Sequence, residues 1–156
     1  AQPIHRPMAR DQRVAYIAEN PSQMMLFQDM SYLRNLTFCL PRQIDSWFRR
    51  RSIYRSLRRE LTPELGAVFD KDIRDLNTQE KYALIFRRVL LQQPRVVFFE
   101  QPFWGNDVLL QQHIERQVQL LLAKKIAVVV LIVGIYDAFP LAERTLIYKN
   151  GHLLTQ

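Results

Sequence analysis

Six arginines lie close together in one stretch of the chain, and their side chains could bind phosphate groups. They are Arg49, Arg50, Arg51, Arg55, Arg58 and Arg59. Guanidinium groups clustered on a helix are the footprint of nucleic-acid binding. The commoner interpretation is a solvated helix face, and no recognisable DNA- or RNA-reading motif accompanies the arginines. The stretch therefore supports a nucleic-acid-binding module only as an alternative hypothesis.

A second candidate is the polar pair Glu100-Gln101, which directly follows the apolar run from Val96 to Phe99. A short continuous apolar run of this kind is typical of a buried strand. On local grounds alone, a polar pair in this position favours a simple strand end over a catalytic site.

The remaining reactive side chains do not form a pattern. His5, His113 and His152 have no metal-ligand spacing, so we expect surface histidines and no zinc site. Cys39 lies in an apolar run, which predicts a buried thiol without catalytic activation. A single cysteine excludes an internal disulfide and fits a reducing compartment.

Composition predicts a soluble globular domain. Of the 156 residues, 48% are hydrophobic and 24% are charged, which is too apolar for a disordered chain. The formal charge of +7 favours an acidic partner. The longest uncharged apolar stretch, 126–136, has about half the roughly 20 residues that a membrane-spanning helix needs. No secretion signal opens the chain.

Hydrophobic periodicity predicts the elements that position these residues. We expect strands at 14–18, 96–99 and 127–133, and helical segments at 31–66, 78–91 and 107–124. In the first helical segment, apolar residues including Trp47, Phe48, Tyr54 and Leu57 share one face, and the arginines lie off it. Alternation of helices with fully apolar strands predicts a parallel sheet in which 96–99 and 127–132 are buried neighbours. Asn150-Gly151 predicts a closing hairpin.

Several short stretches occur in an order that resembles one known family. They are Tyr16-Ile17-Ala18-Glu19-Asn20-Pro21, Met30-Ser31-Tyr32-Leu33-Arg34-Asn35-Leu36, Leu76-Asn77-Thr78-Gln79-Glu80, Glu100-Gln101-Pro102, Gly105-Asn106-Asp107-Val108, Asp137-Ala138-Phe139 and Leu141-Ala142-Glu143-Arg144. From about Arg13 to Leu154 the chain resembles the rear part of an ABC-transporter ATP-binding domain, especially those of sugar importers.

The resemblance implies an α/β fold, a partial P-loop NTPase-like (RecA-like) parallel sheet with an inserted helical subdomain. It divides the chain into a lead-in with a Q-loop-like strand (1–30), the helical subdomain (31–77), and the C-terminal part of the α/β core (78–156).

The resemblance also implies that the hydrolytic residues are replaced. Glu100 matches the aspartate that holds magnesium and is the single metal-ligand candidate. Gln101 matches the glutamate that polarises the attacking water, and an amide cannot accept its proton. Val133 matches the histidine that contacts the γ-phosphate, and valine cannot hydrogen-bond phosphate. We therefore predict no ATP hydrolysis by this chain.

The nucleotide-binding positions implied by the resemblance are also altered, so we regard them as vestigial. Glu19 stands at the Q-loop glutamine, and Asp107 at the aspartate of the dimer-contact loop. In the signature motif LSGGQ, Thr78 and Gln79 replace the two glycines that approach phosphate closely. The remaining vestigial positions are Asn77, Glu80 and Glu100. The sequence contains no G-x-x-x-x-G-K-[ST] phosphate loop.

These expectations predict a degenerate ABC ATP-binding subunit of a sugar or small-solute importer. The implied partners are a membrane permease and a second ATP-binding domain, with a homodimer as one arrangement, and nucleic acid is disfavoured. The implied location is cytoplasmic, peripheral at the inner face of the membrane. ATP and Mg are the family's ligands, and we expect weak or no binding here. The alternative is a piece of a longer ATPase that binds ATP through a front half.

Overall fold

The computed structural model describes residues 14–38, 47–103, 105, 107–133 and 141–155, and gives only the backbone of 47–50, 64, 67 and 155. Its strands are β1 (Val14–Ile17), β2 (Val96–Glu100), β3 (Ala127–Leu131), β4 (Leu146–Lys149) and β5 (His152–Thr155). Its α-helices are α1 (Pro21–Met24), α2 (Tyr32–Thr37), α3 (Trp47–Leu65), α4 (Thr78–Leu91) and α5 (Val108–Ala123). Two 3-10 helices, Gly66–Asp70 and Ile73–Asp75, connect α3 to α4.

Strands β1, β2 and β3 form a parallel sheet in that order. Val14 is aligned with Val96, and Val96 with Ala127. The predicted parallel pairing of the two apolar runs is therefore confirmed. Helix α5 makes the crossover from β2 to β3, whereas the helical lobe and α4 lie in the chain between β1 and β2. The fold is thus α/β with an inserted helical part, as expected.

The prediction that these strands are buried on both faces is wrong for the described chain. Ile17, Val97 and Phe99 are fully buried on the face that packs against α4 and α5, where Phe86 of α4 meets Phe99 edge to face. On the opposite face, Val129 and Leu131 are 38% and 46% exposed. Both helices lie on one side of the sheet, so one face stays open.

The predicted helical segment 31–66 is divided in the structure. Helix α2 ends at Thr37, and α3 begins at Trp47. A physical reason is visible in the sequence, since Pro41 has no amide hydrogen to donate to the Thr37 carbonyl four residues earlier. Tyr54 and Leu57 are half-buried as predicted, and Arg51, Arg55, Arg58 and Arg59 are exposed. The side chains of Trp47, Phe48, Arg49 and Arg50, and the thiol of Cys39, lie outside the described residues.

A single hydrophobic cluster joins the lobe to the sheet. It includes Ile17 of β1, Leu36 of α2, Ile85 of α4, Phe99 of β2 and Ile114 of α5. The division of the chain at 31–77 therefore stays a prediction.

The C-terminal hairpin follows its sequence signal. Strands β4 and β5 pair antiparallel, with Lys149 opposite His152. Asn150 and Gly151 both have positive φ, 50° and 83°, as a type I′ turn requires.

The histidine prediction holds for His152, which is exposed, but not for His113. His113 is half-buried on α5, and its Nε2 is buried with no hydrogen-bond partner among the described residues. Burial lowers the pKa of His113 below its ordinary value, and the nearby Arg116 charge lowers it further. His5 lies outside the described residues.

We expect His113 to make the folded chain less stable in mild acid. Its unfolded pKa is about 6.5, so below that value protonation favours the unfolded state until the pH passes the lower folded pKa. Urea unfolding between about pH 7.5 and pH 5.5 should show a smaller loss of stability for His113→Gln than for the parent chain. His152→Gln is the matched control, and an equal flattening in that variant would contradict the assignment.

Candidate functional site

Three of the predicted site residues lie where the parallel strands end. Glu100 closes β2, Gln101 follows it, and Val133 comes two residues after β3. Glu19 follows β1 and is exposed. Because β1, β2 and β3 are parallel and in register, their carboxyl ends share one edge, which is where open α/β sheets bind ligands. The structure therefore brings these predicted residues to one edge of the sheet.

The Glu100 carboxylate already has a protein partner at this edge. The Tyr16 hydroxyl, from the neighbouring strand β1, donates a hydrogen bond to Glu100 Oε2. This bond to Glu100 raises the pKa of the Tyr16 hydroxyl, with smaller contributions from desolvation and from the Glu100 and Glu19 charges. Glu100 thus lies against a neutral phenol.

The Gln101 amide is also held within the chain. Its backbone adopts a left-handed φ of 44°, which is uncommon for a residue other than glycine. Its amide N–H donates to the Leu131 carbonyl at 2.8 Å, and its side-chain Oε1 accepts from the Val133 N–H at 3.3 Å. Gln101 and Val133, the two replaced hydrolytic positions, are therefore in direct contact, and Val133 is 77% exposed.

The signature-like residues form a second group beside the dimer-contact aspartate. Asn77, Thr78, Gln79 and Asp107 line an open cleft of about 560 Å³ between the N-termini of α4 and α5. The rest of its lining is Gly105, Leu109 and Leu110. No lysine or arginine is among these lining residues, so the cleft offers no positive side chain to a phosphate.

Both helix N-termini at this cleft are capped by their own chain. Asn77 Oδ1 accepts from the Glu80 N–H, and Glu80 Oε2 accepts from the Asn77 N–H, each at 2.8 Å. These two bonds form a capping box. On α5, Asp107 Oδ1 accepts from the Leu110 N–H at 2.8 Å. The carboxylates of Glu80 and Asp107 therefore occupy positions where the helix ends would attract an anion.

The described residues do not fit the ATP and magnesium that the family binds. Magnesium prefers several oxygen ligands in octahedral geometry, whereas the one carboxylate at the sheet edge is bonded to Tyr16. No group of three His, Cys, Asp or Glu residues that could hold a metal ion occurs in the described part of the chain.

Loss of the capping box should destabilise the chain measurably. We expect Asn77→Ala to lower the free energy of unfolding by about 1 kcal/mol, because the Glu80 and Asn77 amides lose their partners. Gln79→Ala, at an exposed neighbouring position, is the control and should change it by less than about 0.5 kcal/mol. Urea denaturation of both variants measures the difference, and equal losses would contradict the capping role.

Sequence reasoning missed Tyr16, although a signal was present. Strand alternation places Tyr16 and Glu100 on faces that match once β1 and β2 are paired in parallel, but the register could not be read from either strand alone. The capping function of Asn77 and Glu80 was also missed, and its Asn-x-x-Glu spacing before a helix is a local signal.

Comparison with known proteins supports the resemblance. No protein-family model matches the chain. The lipopolysaccharide export system ATP-binding protein LptB of Acidithiobacillus ferridurans is 27% identical over 142 residues, covering 91% of this chain and 57% of that protein. The structure of CbiO1 from Clostridium perfringens, part of the ABC transporter complex cbiONQ, matches with a TM-score of 0.64 and 17% identity, covering 92% of this chain and 56% of CbiO1. The chain thus spans a little over half the length of both proteins.

Proposed function

Since the chain is related to the ATP-binding domains of ABC transporters in sequence and fold, we propose that it is a degenerate module of such a transporter. It does not hydrolyse ATP itself, and it acts through contacts with a permease and with a second ATP-binding domain. The observation that carries this proposal is the end of β2, where Gln101 stands at the catalytic position and accepts a hydrogen bond from Val133.

Loss of hydrolysis follows from the chemistry of these two side chains. A glutamine amide brings no charge and cannot take the proton of an attacking water, and valine offers nothing to a γ-phosphate. Electrostatic stabilisation of the phosphoryl group is usually the largest part of such catalysis. Its losses here fall on separate elements, β2 and β3, so one substitution would not restore the site.

The cleft at α4 and α5 supports weak nucleotide capping. Thr78 and Gln79 place side chains where the family has glycines, and the helix-end amides of Glu80 and Leu110 are already bonded. A second ATP-binding domain would therefore dock against this cleft without gaining a phosphate clamp from it. A homodimer would carry the same deficiency at both of its sites.

The transported solute and the direction of transport are proposals of lower resolution. The resemblance to sugar-importer domains favours import of a sugar or another small solute. LptB, in contrast, is named as part of an export system. In the family the helical lobe faces the permease, and none of the described helices is long and apolar enough to cross a bilayer. This arrangement favours a peripheral position at the inner, cytoplasmic face of the membrane.

A phosphate-release assay with ATP-Mg tests the proposal. We expect no turnover above a protein-free control for the parent chain, and none for Gln101→Glu, because the phosphate cradle and the γ-phosphate contact are still lacking. Glu100→Gln is a matched variant at the neighbouring position and should behave alike. Turnover that appears with the single change Gln101→Glu would contradict the proposal.

One alternative has a specific observation in its favour. The chain covers 57% of LptB and 56% of CbiO1, so it corresponds to a part of such proteins. A longer product with a phosphate loop in its front half would bind ATP, and the replaced residues at Gln101 and Val133 would still impair hydrolysis. ATP binding by that product, with no binding by the present chain, distinguishes this alternative.

A further inference from the structure

The exposed arginines of α3 form one stripe along the helix. Arg51, Arg55, Arg58 and Arg59 are all exposed. At 3.6 residues per turn their side chains fall within roughly 100° of the helix circumference and extend over about 12 Å of its axis. The half-buried residues Tyr54, Leu57, Leu61 and Leu65 lie on the adjoining side. We call these four arginines the arginine stripe.

The arginine stripe is electrostatically unfavourable in an isolated chain. Arg51, Arg55 and Arg59 follow one another at i, i+4 spacing, where like charges repel and destabilise a helix. Asp70 takes up one charge of the stripe through its contact with Arg58 at 2.6 Å. Glu60, the acidic residue described on α3, falls roughly 100° beyond Arg59 around the helix. An external anionic surface would relieve this repulsion.

An apolar patch adjoins the helix that carries the stripe. Thr37 at the end of α2 bonds to the Tyr54 hydroxyl of α3 at 2.9 Å. The next residue, Phe38, is 57% exposed and stacks on Phe27, which is 41% exposed, with ring centroids 4.4 Å apart. Met24 nearby in the chain is 72% exposed. Basic side chains beside exposed aromatic ones suit a membrane–water interface, where both are favoured.

We propose that the arginine stripe is a docking surface for the anionic phospholipid headgroups of a bilayer. Guanidinium groups bind phosphate with two parallel hydrogen bonds, and four of them in a row match a plane of headgroups. This inference rests on the proposed position of the chain in a membrane transporter. It adds a direct lipid contact that is independent of nucleotide and of the permease.

Vesicle co-sedimentation tests the inference. The chain should bind phosphatidylcholine vesicles that contain about 30% phosphatidylglycerol, and should not bind phosphatidylcholine alone. Binding should weaken steeply between about 50 mM and about 500 mM salt, because the Debye length shortens. Each arginine near an anionic bilayer raises the partition coefficient about fivefold, so Arg55→Glu/Arg59→Glu should lower it by more than about 25-fold.

The matched control is Arg144→Glu/Lys149→Glu, which changes the net charge equally at two exposed residues near the hairpin. It should change the partition coefficient less than about fivefold. Equal losses in both double variants would overturn the proposal, because only overall charge would then matter. If the glutamate variant does not fold, Arg55→Gln/Arg59→Gln decides, with an expected loss of about 25-fold.

A nucleic-acid arm separates the other source of phosphate. Binding of the parent chain to a random-sequence DNA or RNA duplex that is lost in Arg55→Glu/Arg59→Glu, together with unchanged vesicle binding, would overturn lipid docking in favour of a nucleic-acid surface. No nucleotide is present in the vesicle assay. A failure there is therefore distinguishable from a failure of the proposed function, which phosphate release and ATP binding report.

Discussion

Phe99→Ala is expected to lower the free energy of unfolding by about 3–5 kcal/mol, because it removes a large side chain from a site that cannot fully collapse. Phe99 is 0% exposed and lies edge to face with Phe86, with ring centroids 5.7 Å apart. It joins the sheet to α4, so its loss leaves a cavity between the two main layers of the fold. Urea denaturation of the purified variant measures the effect.

The neighbouring residue provides a matched control. Phe98 has the same side chain one position earlier in β2, but it lies on the open face and is only partly buried. We expect Phe98→Ala to cost about 1 kcal/mol, because less apolar surface returns to water. Equal losses for Phe98→Ala and Phe99→Ala would contradict the sidedness of the sheet.

Asn35→Asp is expected to destabilise the chain by at least about 3 kcal/mol at neutral pH, because it buries a charge without a suitable partner. Asn35 is fully buried in α2. Its Oδ1 accepts from the Phe27 N–H at 2.8 Å, and its Nδ2 donates to the carbonyls of Phe27, Met30 and Ser31 at 2.9, 3.2 and 3.3 Å. An aspartate would turn an oxygen toward these three carbonyls.

The pH dependence of this variant gives a second test. Burial raises the folded pKa of an aspartate at this position above its unfolded value of about 3.9. The penalty is therefore largest above the folded pKa and decreases as the pH falls through it, since the protonated acid can donate one hydrogen bond. Asn20→Asp, at an exposed asparagine, should cost less than about 0.5 kcal/mol. A stable Asn35→Asp chain at pH 7 would show that the network is not closed.

The strands and long helices could be predicted because each carries its own periodicity. Helix α4 begins at Thr78 and ends at Leu91, as its pattern predicted. The pairing of β2 with β3 was also predictable, since two apolar runs joined by a helix favour a parallel crossover. The break before α3 was less accessible, because the apolar spacing continues across it and Pro41 is the only local interruption.

The open face of the sheet could not be predicted from the strands. Runs such as Ala127–Leu131 are apolar at every position, so they look the same whether one face or two are covered. The side on which α4 and α5 pack is a tertiary property. The Tyr16–Glu100 contact depends on strand register in the same way. His113 was assigned to the surface because its burial depends on how α5 is turned against its neighbours.

Isothermal titration of the purified chain with ATP-Mg is the most direct test of the central claim, that the nucleotide chemistry of the family is not carried by these residues. Phosphate affinity in the family depends on a glycine-rich cradle of backbone N–H groups and a lysine, and the sequence contains no such motif. The helix-end amides at the α4–α5 cleft are bonded to Asn77 and Asp107 instead. We predict no heat of binding, or a Kd no tighter than about 1 mM. A Kd in the micromolar range would contradict the account.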